Sequence, residues 1–225
     1  MKTLPNLLFA FVLASFTALV STSANAMGDK QWAGFYGGFT SAFLGASSPK
    51  DNLEGSLKKQ VGGSAGLIFG WNYVSDQFLF GVEGDAQVAS MRLRHKNLGI
   101  TNDVQITSTS SVRARAGMIF GEDRDYLAYV TGGVAFTGVE TDVYGMRDDK
   151  TVPGFAIGGG LEMWLFGNDW ITTTFEYLYT DVPGKSYKSG HLYSKAQELG
   201  DYDKMSSYRF KTGIHQIRGA WNLHF

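Results

Sequence analysis

Four carboxylates, Glu83, Asp85, Glu162 and Glu176, and three arginines, Arg113, Arg115 and Arg218, are the side chains whose types and spacing could do chemistry. Glu83 and Asp85 stand two apart in "FLFGVEGDAQ", a carboxylate pair of the kind that general acid–base catalysis uses. Arg113 and Arg115 stand two apart in "SVRARAG". With guanidiniums at hand for these carboxylates, the set reads as a structural ion-pair network rather than a catalytic dyad. The four histidines, His95, His191, His215 and His224, show no metal-ligand spacing, and the chain has no Cys. That excludes disulfides, thiolate catalysis, Cys-based zinc sites and a lipoprotein anchor. "GGVAF" and "GGGLE" lie inside strand-like stretches and open no helix, so neither is a phosphate loop or a nucleophile elbow. No catalytic residue, metal site or cofactor is expected, and the protein reads as a non-enzyme. A membrane-embedded acyltransferase or lipase would need a Ser or His with an orienting carboxylate near a rim, and no such set stands out.

Two arginines alternating along one strand need a setting that tolerates them. The chain has 225 residues with a formal net charge of −1, which gives no support to nucleic-acid binding. Residues 1–26 carry Lys2, an apolar stretch from Leu7 to Val20 and a small-residue Ala24-Asn25-Ala26 site, the pattern of a cleaved secretory signal peptide. That apolar run of about 14 residues is short of the roughly 20 that a spanning helix needs. The mature chain, expected to begin at Met27, has no run long enough for a transmembrane helix and no sustained helical period. Its 29 Gly also argue against long helices.

Period-2 alternation instead marks eight strands: Gly34–Ala46, Ser64–Tyr73, Gln77–Ser90, Thr107–Phe120, Tyr126–Thr141, Pro153–Phe166, Asp169–Asp181 and Arg209–Phe225. The connections alternate in length. Val74–Asp76, Gly121–Asp125 and Gly167-Asn168 are short, whereas Ser47–Gly63, Met91–Ile106, Asp142–Val152 and Val182–Tyr208 are long. In an up-and-down barrel all short turns then fall at one end and all long loops at the other, as in outer-membrane barrels. Each strand has one apolar face and one small or polar face. Ala65, Leu67, Phe69, Trp71 and Tyr73 oppose Ser64, Gly66, Gly70 and Asn72, and Phe78, Phe80 and Val82 oppose Glu83, Asp85 and Gln87. The fold expected is all-β: an eight-stranded antiparallel barrel over residues 27–225, with its apolar face toward lipid.

The charged residues then point into the lumen, where each needs a partner. A strand 3–4 register summing to 198 sets Asp85 level with Arg113, Glu83 with Arg115, and Phe78 with Phe120. A strand 7–8 register summing to 394 sets Glu176 level with Arg218. Glu162 completes an interior of nearly balanced charge. On the outer face, the alternation Trp221, Leu223, Phe225 reads as a signal for the outer-membrane assembly machinery. Trp32, Tyr36, Tyr73, Trp170, Tyr177 and Tyr179 are candidates for the interfacial aromatic girdles.

The motifs "WAGFYGGF", "FLFGVEGDAQ", "SVRARAG", "YVTGGVAF", "FEYLYTDV" and terminal "IRGAWNLHF" come in an order that resembles the RopB-like, opacity-type small outer-membrane proteins of alphaproteobacteria. The resemblance runs over nearly the whole mature chain. It implies an eight-stranded barrel in the outer membrane of a Gram-negative bacterium, with roles in envelope integrity and host contact. Some relatives are described as binding haem, which would bring His95 or His191 into play, and others are called porins. The alternatives to an envelope role are thus a narrow porin-like channel for small solutes and a haem-binding surface protein. The peptidoglycan-binding domain of the larger OmpA proteins is missing from this sequence, so a direct tether to the cell wall is not expected. Expected partners are outer-membrane lipid, lipopolysaccharide, the assembly machinery and host surface molecules. In "MRLRHK", Arg92, Arg94 and Lys96 are candidate contacts for lipopolysaccharide phosphates, read as the start of a long surface loop.

Overall fold

A computed structural model describes residues 32–47, 61–97, 100–143, 146–165, 170–183 and 212–225. The leader segment, His191, residues 167–168 and most of the segment after Val182 lie outside these. The described residues form eight strands: β1 (Gly34–Ser47), β2 (Val61–Ser75), β3 (Phe78–Asn97), β4 (Ile100–Phe120), β5 (Tyr126–Val143), β6 (Met146–Trp164), β7 (Ile171–Val182) and β8 (Thr212–His224). Each is antiparallel to the next, and β8 pairs back onto β1, so the sheet closes into a barrel without a free edge around its waist.

The parity of the sequence is realised throughout. Phe39, Phe43, Phe69, Trp71, Phe80, Val88, Val112, Val130, Phe155, Ile157, Ile217 and Trp221 point outward and stay exposed, Phe43 by 77%. An exposed apolar band of this extent has no counterpart on a water-soluble protein. It is the lipid-facing surface of a transmembrane barrel. Buried positions alternate with it, and seven charged side chains are among them.

At one end the connections are tight. Asp76 and Gln77 join β2 to β3, and residues 121–125 join β4 to β5, with Asp76, Gly121 and Arg124 at positive φ. Trp32, just ahead of β1, closes over this end by donating its indole N–H to the Arg124 carbonyl at 2.8 Å.

The other end differs from the expected loops. β3 and β4 pair out to Asn97↔Ile100, and β5 and β6 out to Val143↔Met146. The segments read as the second and third long loops, 91–106 and 142–152, are therefore largely strand. Met91–Lys96 is part of β3 and not a loop. Beyond the apolar band no lipid enforces an apolar outer face, so the alternation that betrays a strand fades while its ladder continues. A bulge between Ile106 and Ser108 and a register shift between Val88 and Met91 mark where these extensions begin. The β2–β3 ladder ends at Gly63↔Ser90 and the β6–β7 ladder at Phe155↔Asp181, so half of the wall rises above the other half.

The β3–β4 register also differs from the expected one by two residues. Glu83 is level with Arg113, Asp85 with Ser111, and Phe78 with Met118. The turn at 121–125 joins β4 to β5 and does not set the β3–β4 register, in which Phe120 extends past Phe78. Parity survives a two-residue slip, so the faces are unaffected. On the other side, Glu176 is level with Arg218, as the strand 7–8 register has it.

Candidate functional site

Alternation sends small residues, hydroxyls and charges inward, and closure brings them together from all eight strands. Arg113 and Arg115 come from β4, Glu83 and Asp85 from β3, Glu162 from β6, Glu176 from β7 and Arg218 from β8. All seven are buried, with exposures of 1–5%. Arg113 is the hub. It donates to Glu176 at 2.8 Å, forms a short contact with Glu83 and lies 3.4 Å from Asp85. Arg115 donates to Glu162 at 2.6 Å, to Glu83 at 3.3 Å and to the Tyr36 hydroxyl at 2.8 Å. Arg218 bridges Asp85 at 3.2 Å and Glu176 at 3.3 Å. The partner of Asp85 across the lumen is thus Arg218, besides Arg113.

Neutral donors complete the coordination. Ser111 donates to Asp85 at 2.6 Å and Gln87 donates to the same carboxylate at 3.0 Å, while Tyr129 donates to Glu176 at 2.8 Å. Tyr36 accepts from Arg115 and donates to Glu83 at 2.7 Å. The Arg115 guanidinium lies over the Tyr129 ring at 4.3 Å and over the Tyr36 ring at 5.3 Å. Glu162 has the densest set. Thr172 reaches it at 2.5 Å, Asn222 at 3.1 Å and His224 at 3.3 Å. Every carboxylate is held by a cation and by at least one neutral donor, the arrangement that makes a buried charge tolerable.

Trp32 and Tyr36 are not girdle residues. Both are only 2% exposed, because parity turns Tyr36 inward and Trp32 folds into the mouth of the barrel. The signal lay in the glycines. A Cβ at Gly70 would fall 2.5 Å from the Tyr36 ring, and one at Gly160 would fall 2.8 Å from the Tyr129 hydroxyl. These two tyrosine rings each lie against a bare backbone across from them. Tyr73, Trp170 and Tyr177 are exposed on the outside, with Tyr179 half-buried beside them.

Two apolar layers enclose the charges, and neither was anticipated. Trp32, Leu79, Ile119, Leu127, Tyr129 and Trp164 fill the short-turn mouth, with the Trp32 and Trp164 rings 5.0 Å apart. Ala42, Leu44, Ala89, Met91, Ile106, Val139, Val152, Val182 and Ile214 fill the lumen at the opposite end of the ion-pair layer. Leu44, Met91, Ile106 and Ile214 are at most 1% exposed. Between this layer and the ions lies a cavity of about 10 Å³ lined by Asp85, Thr109, Thr137, Thr180 and Gln216 among others, roughly the room of one water.

The remaining expected residues lie on β3 and on or just after the last strand. Trp221, Leu223 and Phe225 point outward and are exposed by 67%, 40% and 50%. Arg92 is exposed on the outer side of β3, and Arg94 and Lys96 follow on the same strand. His95 is also on β3.

Known proteins similar to this chain are outer-membrane proteins. The outer membrane protein beta-barrel domain family matches residues 14–199. The chain belongs to that family. It is 32% identical over 183 residues to the 25 kDa outer-membrane immunogenic protein of Brucella melitensis, covering 80% of this chain and 79% of that protein. It is 29% identical to the 22 kDa outer membrane protein of Rhizobium leguminosarum, covering 69% and 67%. Both relatives fit the resemblance to alphaproteobacterial surface barrels. Among solved structures, OprG of Pseudomonas aeruginosa superposes with a TM-score of 0.53 at 14% identity, covering 88% of this chain and 99% of that one. Neisserial surface protein A does so with a TM-score of 0.50 at 15% identity, covering 86% and 98%. These structures share the fold. The protein is an outer-membrane β-barrel of a Gram-negative bacterium.

Proposed function

We propose that this barrel is a non-enzymatic structural and surface protein of the envelope, and that it is not a solute channel. The observation that carries this reading is the filled lumen. An apolar mouth, a saturated ion-pair layer and a second apolar layer stand in series along the axis. Eight strands leave an interior just wide enough for side chains to fill, whereas diffusion pores are built from about 16 strands. The seven charged lumen residues are engaged with one another, so none is left to do acid–base work on a substrate.

The surface role rests on the wall that rises beyond the apolar band. Arg92 is exposed on β3, Arg94 and Lys96 follow it along the same strand, and guanidinium forks match phosphate oxygens. Lipopolysaccharide phosphates are the partner this row suits. The Brucella melitensis relative is named an outer-membrane immunogenic protein, which supports a surface role for this barrel. The outward Trp221, Leu223 and Phe225 of the last strand serve the assembly machinery.

Deletion of the gene in its own host separates the two readings. An envelope-structural barrel predicts that deletion makes cells more permeable to a hydrophobic dye and more sensitive to detergent. A channel predicts the reverse sign for small hydrophilic solutes, with slower uptake after deletion and no change in detergent sensitivity.

A further inference from the structure

The lipid-facing wall is not evenly covered. Across β3, β4 and β5 two rows of outward residues stand level, Phe78–Met118–Ala128 and, farther from the short turns, Phe80–Ala116–Val130. Phe78, Phe80, Met118 and Val130 project from the wall, each at least 45% exposed, whereas Ala116 and Ala128 carry only a methyl. The contrast leaves a groove of about 430 Å³, floored by the two alanines and walled by the four large side chains. Phe78 is the first residue of β3, so one end of the groove opens at the tight turns.

Arg124 lies just beyond that end, in the turn from β4 to β5. Its carbonyl accepts the Trp32 indole N–H at 2.8 Å, and its backbone N–H donates to the Gly121 carbonyl at 3.2 Å. Its guanidinium donates to the Asp76 carbonyl of the neighbouring turn. Asp76 is two residues ahead of Phe78, so this side chain crosses beneath the first row of the groove. The contact occupies one nitrogen of a fork that has five N–H donors, and Arg124 stays exposed. We propose that the groove and Arg124 form a binding site for one phospholipid of the leaflet at the short-turn end. An acyl chain lies in the groove, the phosphate meets the guanidinium, and a primary ammonium headgroup meets the carboxylates of the two turns.

The groove belongs to the lipid-facing band, so what fills it is hydrocarbon. Lipid tails are as apolar as the wall, and the groove therefore holds a chain by close packing rather than by exclusion of water. Selectivity must come from the headgroup. Tyr73, Tyr126 and Trp170 are exposed beside the short turns, with Tyr126 stacked on Phe120 at 5.5 Å, and such aromatics sit at headgroup level. In the two turns Asp76, Glu122, Asp123 and Asp125 stand against Arg124, and the first three are exposed as Arg124 is. A purely anionic headgroup would meet one cation among four carboxylates. A zwitterionic headgroup finds a partner for each of its charges. A primary ammonium brings three N–H donors for the carboxylates, and a quaternary one brings none. The chemistry is that of phosphatidylethanolamine.

The test uses the protein purified from outer membranes in mild detergent. It is supplied with phosphatidylethanolamine, phosphatidylcholine or phosphatidylglycerol carrying identical chains, and native mass spectrometry counts the lipid that stays bound. Wild type is compared with Arg124→Gln and with the double change Ala116→Leu, Ala128→Leu, which fills the groove from the lipid side and leaves the lumen untouched. The two variants act at separate places, so either remains readable if the other folds poorly. Wild type is expected to keep a single phosphatidylethanolamine in preference to the other two lipids. Arg124→Gln should weaken that retention about two- to fivefold, the worth of an exposed ion pair. The filled groove should lower retention of all three lipids, and Arg92→Gln, at the opposite end, should match wild type. Equal retention of the three lipids by wild type means ordinary bilayer lipid and overturns the proposal. Phosphatidylethanolamine retention that is unchanged in Arg124→Gln, or in the filled groove, overturns it as well.

Discussion

Replacing Arg115 by Met removes one charge from the middle of the lumen while keeping most of the side-chain volume. Arg115 makes two charged contacts, with Glu162 at 2.6 Å and Glu83 at 3.3 Å, plus a hydrogen bond to Tyr36 at 2.8 Å. Glu83 retains Arg113, so the orphan is Glu162, whose side chain has no measurable exposure. Thr172, Asn222 and His224 still donate to it, which softens but does not cancel the loss. Breaking a buried pair by removing one partner costs about 3–5 kcal/mol. The retained donors place the expected loss near the lower end, about 3 kcal/mol. Exposed Arg92→Met should stay within about 0.5 kcal/mol, as surface changes do. Urea unfolding in vesicles, followed by intrinsic tryptophan fluorescence, reads both. The double change Arg115→Met with Glu162→Gln should cost less than the sum of the singles, by about 0.5–3 kcal/mol of coupling. Strict additivity, or an Arg115→Met loss no larger than that of Arg92→Met, would refute the pairing.

Three other outcomes are expected. Gly70→Val must displace the Tyr36 ring from its seat, and overpacking of this kind should cost about 1–3 kcal/mol in the same unfolding assay; an unchanged midpoint would mean that Tyr36 does not need the bare backbone. Deleting Phe225 removes an exposed outward ring and the N–H that bonds the Phe35 carbonyl, so less heat-modifiable folded protein should accumulate in outer-membrane fractions, and wild-type accumulation would end the assembly-signal reading. Replacing Arg92, Arg94 and Lys96 by Gln should weaken binding to phosphorylated lipid A, by a margin that shrinks at high salt because exposed charges are screened; equal binding at low salt would leave the β3 row without that partner.

The barrel was legible in the sequence because lipid imposes a one-residue rule on every strand that crosses it. Phe78, Phe80 and Val82 face out and Glu83, Asp85 and Gln87 face in, and no register error of two residues can change that. What could not be read is whatever parity does not control. The β3–β4 register is not set by the 121–125 turn, which joins β4 to β5, and the charges of one strand did not distinguish Glu83 from Asp85 as the neighbour of Arg113. The strand extensions beyond the band, such as Met91–Asn97, escape because no lipid enforces an apolar outer face there. The two apolar layers escape for a related reason. Leu44, Leu79, Met91 and Ile106 have the inward parity of the charges, and only closure shows that they stack at the two ends of one channel axis. His224 looked like the last polar position of a terminal strand until the barrel brought Glu162 and Tyr36 to it.

Single-channel conductance of the wild-type barrel in a planar bilayer tests the central claim most directly, because a filled lumen and an open one differ in kind. Trp32, Trp164, Arg113, Arg115, Leu44 and Met91 stand in the path of any ion along the axis. The account predicts no stable conductance steps above the bilayer background across ordinary voltages. Reproducible, long-lived steps from wild-type protein, present in every preparation and scaling with the number of barrels inserted, would contradict it.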